Sequence, residues 1–252
     1  MSSTSGTVAL GKAEIIRLRR NKRYLFFTLA LPIVLYLSLA HTAATEGGVS
    51  FKIYYLFEMA SLGAFSGAFN NNAIRISQER KDGWIRQLRL TCLPANSYVV
   101  AKIIATVALT APQIAIMMLL GRFYGGIQLP IWEWTVIALA IWLGTLIFAA
   151  LAVAIGYWMN PNSVQPVIMI IFLFFSLFGG LWFPVTGGLR TFAQGTPTYR
   201  IVQIATDVVT HGTVSWISVS VILIWLAAFV GREYNGVPFR SLMSPYLCLS
   251  DC

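Results

Sequence analysis

The chain has 252 residues, enough for one large domain or two small ones, of which 57% are hydrophobic and only 11% charged. Soluble domains run at roughly half apolar and a quarter charged, so this composition, with a mean hydropathy of +0.72, excludes an ordinary soluble protein and requires lipid. The formal charge of +9 invites a nucleic-acid reading, but the basic residues stand in two blocks beside apolar runs, not along a phosphate-binding stripe, and no nucleic-acid partner is expected.

The first block, Lys12, Arg17, Arg19, Arg20, Lys22 and Arg23, precedes an apolar run over 24–43. Val8, Gly11, Ile15 and Leu18 fall at helical spacing on one face there, with Glu14, Arg17 and Arg20 on others. That is the pattern of an amphipathic helix lying on the anionic inner leaflet; a basic tail that only sets topology is the plainer reading. The apolar run is too long for the core of a cleavable signal and no convincing A-x-A site follows it, so it is expected to persist as the first anchor.

A span needs about 20 mostly apolar residues, and five further segments qualify, at 53–69, 98–121, 132–157, 164–183 and 214–230. Lys52, Arg122 and the pair Arg190 and Arg200 fall in alternate connections. The other connections hold the first block, a second block of Arg75, Arg80, Lys81, Arg86 and Arg89, and Arg232 and Arg240. Under the positive-inside rule this predicts an all-α, polytopic protein of the plasma membrane, with six transmembrane helices and both termini cytosolic. The six-helix domain covers 1–230, with an amphipathic segment at 1–23 and a tail at 231–252 to which no role is assigned.

In the second span, Gly63-x-x-x-Gly67 predicts close approach of a neighbouring helix. Glu58 lies near its outer end, where a hydrated interfacial position is expected for a carboxylate. The fourth and fifth spans are joined by a short polar turn at 158–163 in which Pro161 is expected to stop the first of two antiparallel helices. The segment 184–213 is too short for a domain and too apolar for a solvated loop. Its Ile201, Ile204, Ala205 and Val208 share one helical face, with Arg200, Gln203 and Asp207 on another. Helices dipping into the outer half of the membrane fit this pattern, and an extracellular cap is the plainer alternative. No internal repeat is evident, and inverted repeats of the kind found in many secondary transporters are not visible.

Catalytic equipment is missing. There is no G-x-x-x-x-G-K-[ST] phosphate loop, no G-x-S-x-G elbow and no H-E-x-x-H pair, and the two histidines, His41 and His211, fall near the outer surface. Cys92, Cys248 and Cys252 show neither metal-ligand spacing nor a disulfide framework and all map to the cytosolic side. The chain is expected to bind no cofactor or metal, so any ATP and Mg would sit on another polypeptide. Glu58 alone lies well within a span, which disfavours ion coupling.

The cytosolic segment 73–97 is dense in charge yet holds Trp84, Ile85 and Leu88 at helical spacing. An exposed aromatic framed by arginines is a common anchor of partner interfaces; the plainer reading is a solvated loop with its tryptophan in the headgroups. The run Glu79-Arg80-Lys81-Asp82-Gly83-Trp84-Ile85-Arg86-Gln87-Leu88-Arg89-Leu90-Thr91, then Leu93 and Lys102, resembles the cytosolic signature of type-two ABC exporter permeases. Phe178-Gly179-Gly180-Leu181-Trp182-Phe183-Pro184, followed by Pro197-Thr198-Tyr199, is similar to the outer re-entrant segment of that family. Two features depart from the pattern. Cys92 stands where the family has proline, and the tail 231–252 is longer and less basic.

The resemblance implies a half-transporter in which two six-helix domains, a second copy or a homologue, pair with two separate ATPase subunits that bind ATP and Mg. The coupling segment, with Glu79, Arg80, Gly83, Trp84, Leu88 and Arg89, would enter a cleft of the ATPase. Glu79 and Arg80 would orient it there, and Trp84 and Leu88 would make apolar contact. Pro184, Pro197 and Tyr199 would mark the re-entrant segment. Closure of the ATPase dimer would bias the membrane domains from inward-open to outward-open and expel amphipathic, drug-like or antibiotic-like molecules. Lipid and polysaccharide exporters share this architecture. An ion-coupled carrier, or a non-transporting anchor or immunity protein, are the competing classes.

Overall fold

The structure is a computed structural model that describes residues 3–20, 22–39, 45–46, 49–84, 87, 95–183, 185 and 187–235. Its helices run in the order α1 (Ser3–Arg20), α2 (Lys22–Leu39), α3 (Phe51–Lys81), α4 (Ala95–Phe123), α5 (Ile131–Trp158), α6 (Pro161–Phe178), α7 (Leu189–Ala193), α8 (Pro197–His211) and α9 (Trp216–Asn235). Between α2 and α3 a two-residue antiparallel ladder, β1 (Thr45–Glu46) with β2 (Val49–Ser50), pairs Thr45 with Ser50 and Glu46 with Val49. The all-helical class expected from composition is the one observed.

Among the described residues three stretches are long and apolar enough to cross a membrane: Tyr98–Phe123, Ile131–Trp158 and Pro161–Phe178. Thr28–Leu39 and Trp216–Phe229 are shorter apolar helices. The second predicted span differs most from expectation. It belongs to α3, which continues without a break through the three asparagines after Phe69 to Lys81, so the first part of the expected coupling segment is the end of a 31-residue helix. Between Tyr55 and Phe65 every residue of α3 is buried, against α2, α4, α5, α6 and α8. A helix walled by protein on all sides needs no continuous apolar surface, and that is why its hydropathy understates its depth.

Glu58 shares this setting. It is fully buried within the helical core, so the expected hydrated interfacial position is corrected to an interior one. The core beside it is aromatic: Phe65 lies 3.9 Å from Phe148 and 5.0 Å from Phe172, ring centroid to centroid, with Phe175 edge-on at 6.5 Å. Tilted and edge-to-face pairs of this kind add to the stabilisation from burial. Gly63 does bring helices close together. A Cβ at that position would stand 2.9 Å from Pro32 Cγ on α2 and would meet the Gln113 side chain on α4; Gly67 is buried one turn further on.

The turn between α5 and α6 also departs from expectation. Pro161 does not stop α5, which runs to Trp158, but opens α6 as its first residue, where its missing N–H leaves no helical hydrogen bond unmade. At the far end of α6, Gly180 takes a left-handed φ of +73°, and α6 stops at Phe178, five residues short of its expected end.

Candidate functional site

Helix α1 turns only part of its hydrophobic face to the bundle: Val8 is 57% exposed, Gly11 is buried and Ile15 half-buried, and Glu14, assigned to another face, is 5% exposed. What draws Glu14 inward is a cation. Lys102, on the second turn of α4 and 2% exposed, places Nζ 2.9 Å from Glu14 Oε1 and 2.9 Å from Glu79 on α3. Arg75 Nη2 donates to Glu14 Oε2 at 2.8 Å and to Glu79 Oε1 at 3.4 Å, Arg17 Nη1 donates to Glu79 Oε1 at 3.0 Å, and Tyr98 Oη donates to Glu79 Oε2 at 2.6 Å. Two buried carboxylates therefore face three cations and a phenol drawn from α1, α3 and α4.

Ile76, Tyr98, Val153 and Tyr157, with Leu10 and Val99 against them, form a small apolar cluster that meets the ionic one at Tyr98. Above it a polar strip continues between α3 and α4: Asn72 Nδ2 donates to Thr106 Oγ1, and Thr106 Oγ1 donates to Lys102 O at 2.8 Å. Buried charges persist only when paired and hydrogen-bonded, and removal of one partner strands the others. The cluster is thus a three-helix latch whose members hold one another in place.

Burial by itself would raise the Glu79 carboxyl, but Lys102, the Tyr98 hydroxyl and Arg75 outweigh it and hold the carboxyl below its ordinary value of 4.5. A carboxylate whose folded-state pKa is depressed contributes stability above the unfolded pKa and loses it as pH falls through the folded one. The thermal midpoint of the purified protein should therefore be flat from about pH 8 down to about pH 5 and fall as the medium is acidified below 4.5. Glu79→Gln, which removes the titrating group, should show a shallower acid limb, and identical limbs would contradict the assignment.

The remaining sequence-predicted residues divide by exposure. Glu79 is turned into the latch, with 5% of its surface accessible. Arg80 Nη2 donates at 2.7 Å to Met159 O, which also accepts from Ser77 Oγ at 2.9 Å, so the end of α3 is tied to the α5–α6 turn. Gly83 ends the helix in a left-handed φ of +75° with open space where a Cβ would stand. That reversal presents Trp84 outward, 39% exposed, one residue beyond the turn. Leu88 and Arg89 lie outside the described residues, as do Pro184 and Cys92. Pro197 opens α8, where the Thr196 side chain accepts from Tyr199 N. The Tyr199 hydroxyl accepts from Arg190 Nε at 3.3 Å. The predicted apolar face of α8 is the one that packs, with Ile201, Ile204, Ala205 and Val208 all buried, and Ile201 seated over Gly144 of α5. Thr198 Oγ1 donates to Phe175 O at 2.7 Å, which fastens α8 to α6, and Trp225 Nε1 donates to Gly195 O at 2.8 Å, which fastens the turn before α8 to α9.

Sequence reasoning missed Glu14, Arg75 and Tyr98 and used Lys102 only as part of a signature. The signal was present, since a lone lysine inside an apolar run demands a carboxylate and Glu14 is the one acid of the first basic block.

Comparison with known proteins fits this architecture. The chain is 26% identical over 223 residues, 86% of its own length and 91% of the relative's, to a protein of Bacillus subtilis (strain 168) whose name describes it as a transport permease, YvfS. The family described as "ABC-2 family transporter protein" matches residues 38–231, a stretch that runs from the end of α2 into α9 and takes in α3 with its latch residues. The chain therefore belongs to the ABC-2 transporter family and is a multi-pass membrane permease.

Proposed function

We propose that this permease is the membrane half of an ATP-driven exporter in the plasma membrane, with six crossings formed by α2, α3, α4, α5, α6 and α9 and with α1 and the turn after α3 in the cytosol. The observation that carries the reading is the end of α3: Trp84 stands exposed beyond Gly83, while Glu79 and Arg80 behind it are locked to α1, α4 and the α5–α6 turn. A force applied at Trp84 by a partner is thereby delivered to four helices at once. The partner is a separate ABC ATPase that binds ATP and Mg, and two permeases pair above two such subunits. Coupling of this kind needs a difference in interaction energy between the two membrane-domain states. The cargo is an amphipathic small molecule.

The test is transport in everted vesicles containing permease and ATPase, with an amphipathic fluorescent dye as probe. Trp84→Ala should lower ATP-dependent uptake about tenfold, the scale of one interface anchor, and weaken co-purification of the ATPase while membrane insertion stays normal. Uptake that survives ATP depletion and collapses with the proton gradient would favour a secondary carrier instead.

A further inference from the structure

Between helices α4 and α5 lies an open groove of about 680 Å³, closed at its far end where Trp142 Nε1 donates to Val107 O at 2.7 Å. On α4 its wall runs from Ala111 to Arg122 and on α5 from Ile131 to Trp142, the lining residues spaced alternately three and one positions apart along one face of each helix. Alanines at 111, 115 and 138 make the trough, and Leu119 and Leu139, 53% and 45% exposed, stand beside it. Eleven residues at 1.5 Å each give a length of about 16 Å, close to half of a roughly 30 Å hydrocarbon core. The walls are apolar except at one end. There Arg122, in the last turn of α4, supplies the one charge of the lining and forms no ion pair among the described residues.

We propose that this groove is a binding site for one glycerophospholipid of the leaflet on the side of the 124–130 turn. An acyl chain fills the trough and the phosphate meets the Arg122 guanidinium. The charge decides among occupants. A wholly apolar ligand would leave the Arg122 guanidinium at the mouth without a counter-charge. A phosphate ester supplies that counter-charge while its acyl chain covers the apolar trough. The site does not depend on the transport reading, since it uses neither the latch nor Trp84.

The experiment uses the full chain in phosphatidylcholine vesicles doped with phosphatidylglycerol that carries a diazirine in its acyl chain. Photolabelled residues are then mapped by mass spectrometry. Label should concentrate on 111–119 and 134–142. Ala115→Phe, which fills the trough from an exposed position, should lower it about tenfold, and Arg122→Gln should lower it by a similar factor, the scale of one charge-assisted hydrogen bond. Labelling by a diacylglycerol diazirine, which lacks the phosphate, should be unmoved by Arg122→Gln. Equal labelling of the exposed Met169, Ile170 and Leu173 face of α6 would overturn the proposal, because it would show bulk lipid contact only. So would disulfide cross-linking of Ala115→Cys between two copies with loss of label, which would make the occupant a second chain.

Discussion

Lys102→Met should destabilise the protein by about 3–5 kcal/mol, the range for removing one partner of a buried ionic cluster, and should release α1 from the bundle. Lys102 is the member that touches both carboxylates, and with 2% exposure it has no water to share the load. Without it, among the described residues, Glu14 retains only Arg75, and Glu79 retains Arg75, the Tyr98 hydroxyl and Arg17, whose side chain is 60% exposed. An exposed ion pair contributes about 1 kcal/mol at most, too little to hold a carboxylate in a dry site. The helix that can leave is α1, so tryptic cleavage after Arg17 and Arg20 should accelerate in step with the fall in thermal midpoint.

The quadruple variant Glu14→Gln, Arg75→Met, Glu79→Gln, Lys102→Met separates pairing from mere bulk. It removes the buried charges together and leaves only Arg17, whose side chain is 60% exposed, and replacement of a whole buried ion cluster is close to neutral where removal of one member is not. Its midpoint should therefore lie well above that of Lys102→Met alone, a non-additivity expected of residues in one network. If the quadruple variant were as unstable as the sum of its parts, the latch would be packing, not electrostatics.

How much of this was legible beforehand follows from what each helix faces. The spans predicted at 98–121 and 132–157 fall within a few residues of α4 and α5, because helices with one side toward lipid carry a long apolar run whose ends show as charge or proline. Helix α3 has protein on every side through its middle, so its depth is written in small and aromatic residues and not in hydropathy; a lipid criterion truncates it at Phe69. The exposed Trp84 was readable as a knob because it stands among charges. Glu14 was hidden by an assumption that acidic residues on an amphipathic helix face water, which fails whenever a cation is buried opposite. Pairing across α1, α3 and α4 links residues 14, 79 and 102, a separation that no local spacing rule spans.

The second large effect is expected at Gly156, two residues before the end of α5. A Cβ there would lie 2.8 Å from Ile76 Cβ, 2.9 Å from Ala73 O and 3.0 Å from Ile76 Cγ2. The obstacles are a backbone carbonyl and the branch point of a fully buried isoleucine, neither of which can swing aside as a flexible side-chain tip can. Any substitution must push α3 and α5 apart at their most extensive shared interface. Overpacking of this kind costs about 1–3 kcal/mol, with Gly156→Ala near the lower figure and Gly156→Leu at or above the upper one. Thermal midpoints should fall in the order Ala, Val, Leu. Gly11→Ala on α1 is the control: nothing lies within 4 Å of its Cβ position, and alanine is the better helix former by roughly 0.5–1 kcal/mol, so that variant should be neutral or more stable.

The displacement at Gly156 would not stay local. Ile76 stands between Arg75 and Ser77, one of which enters the latch while the other, with Arg80, holds Met159. A wedge at this crossing shifts both attachments of the end of α3 together, and transport should therefore fail in Gly156→Val at temperatures where the bundle is still folded. Transport that stays normal at such temperatures would mean that the α3–α5 crossing stabilises the bundle without carrying motion through it.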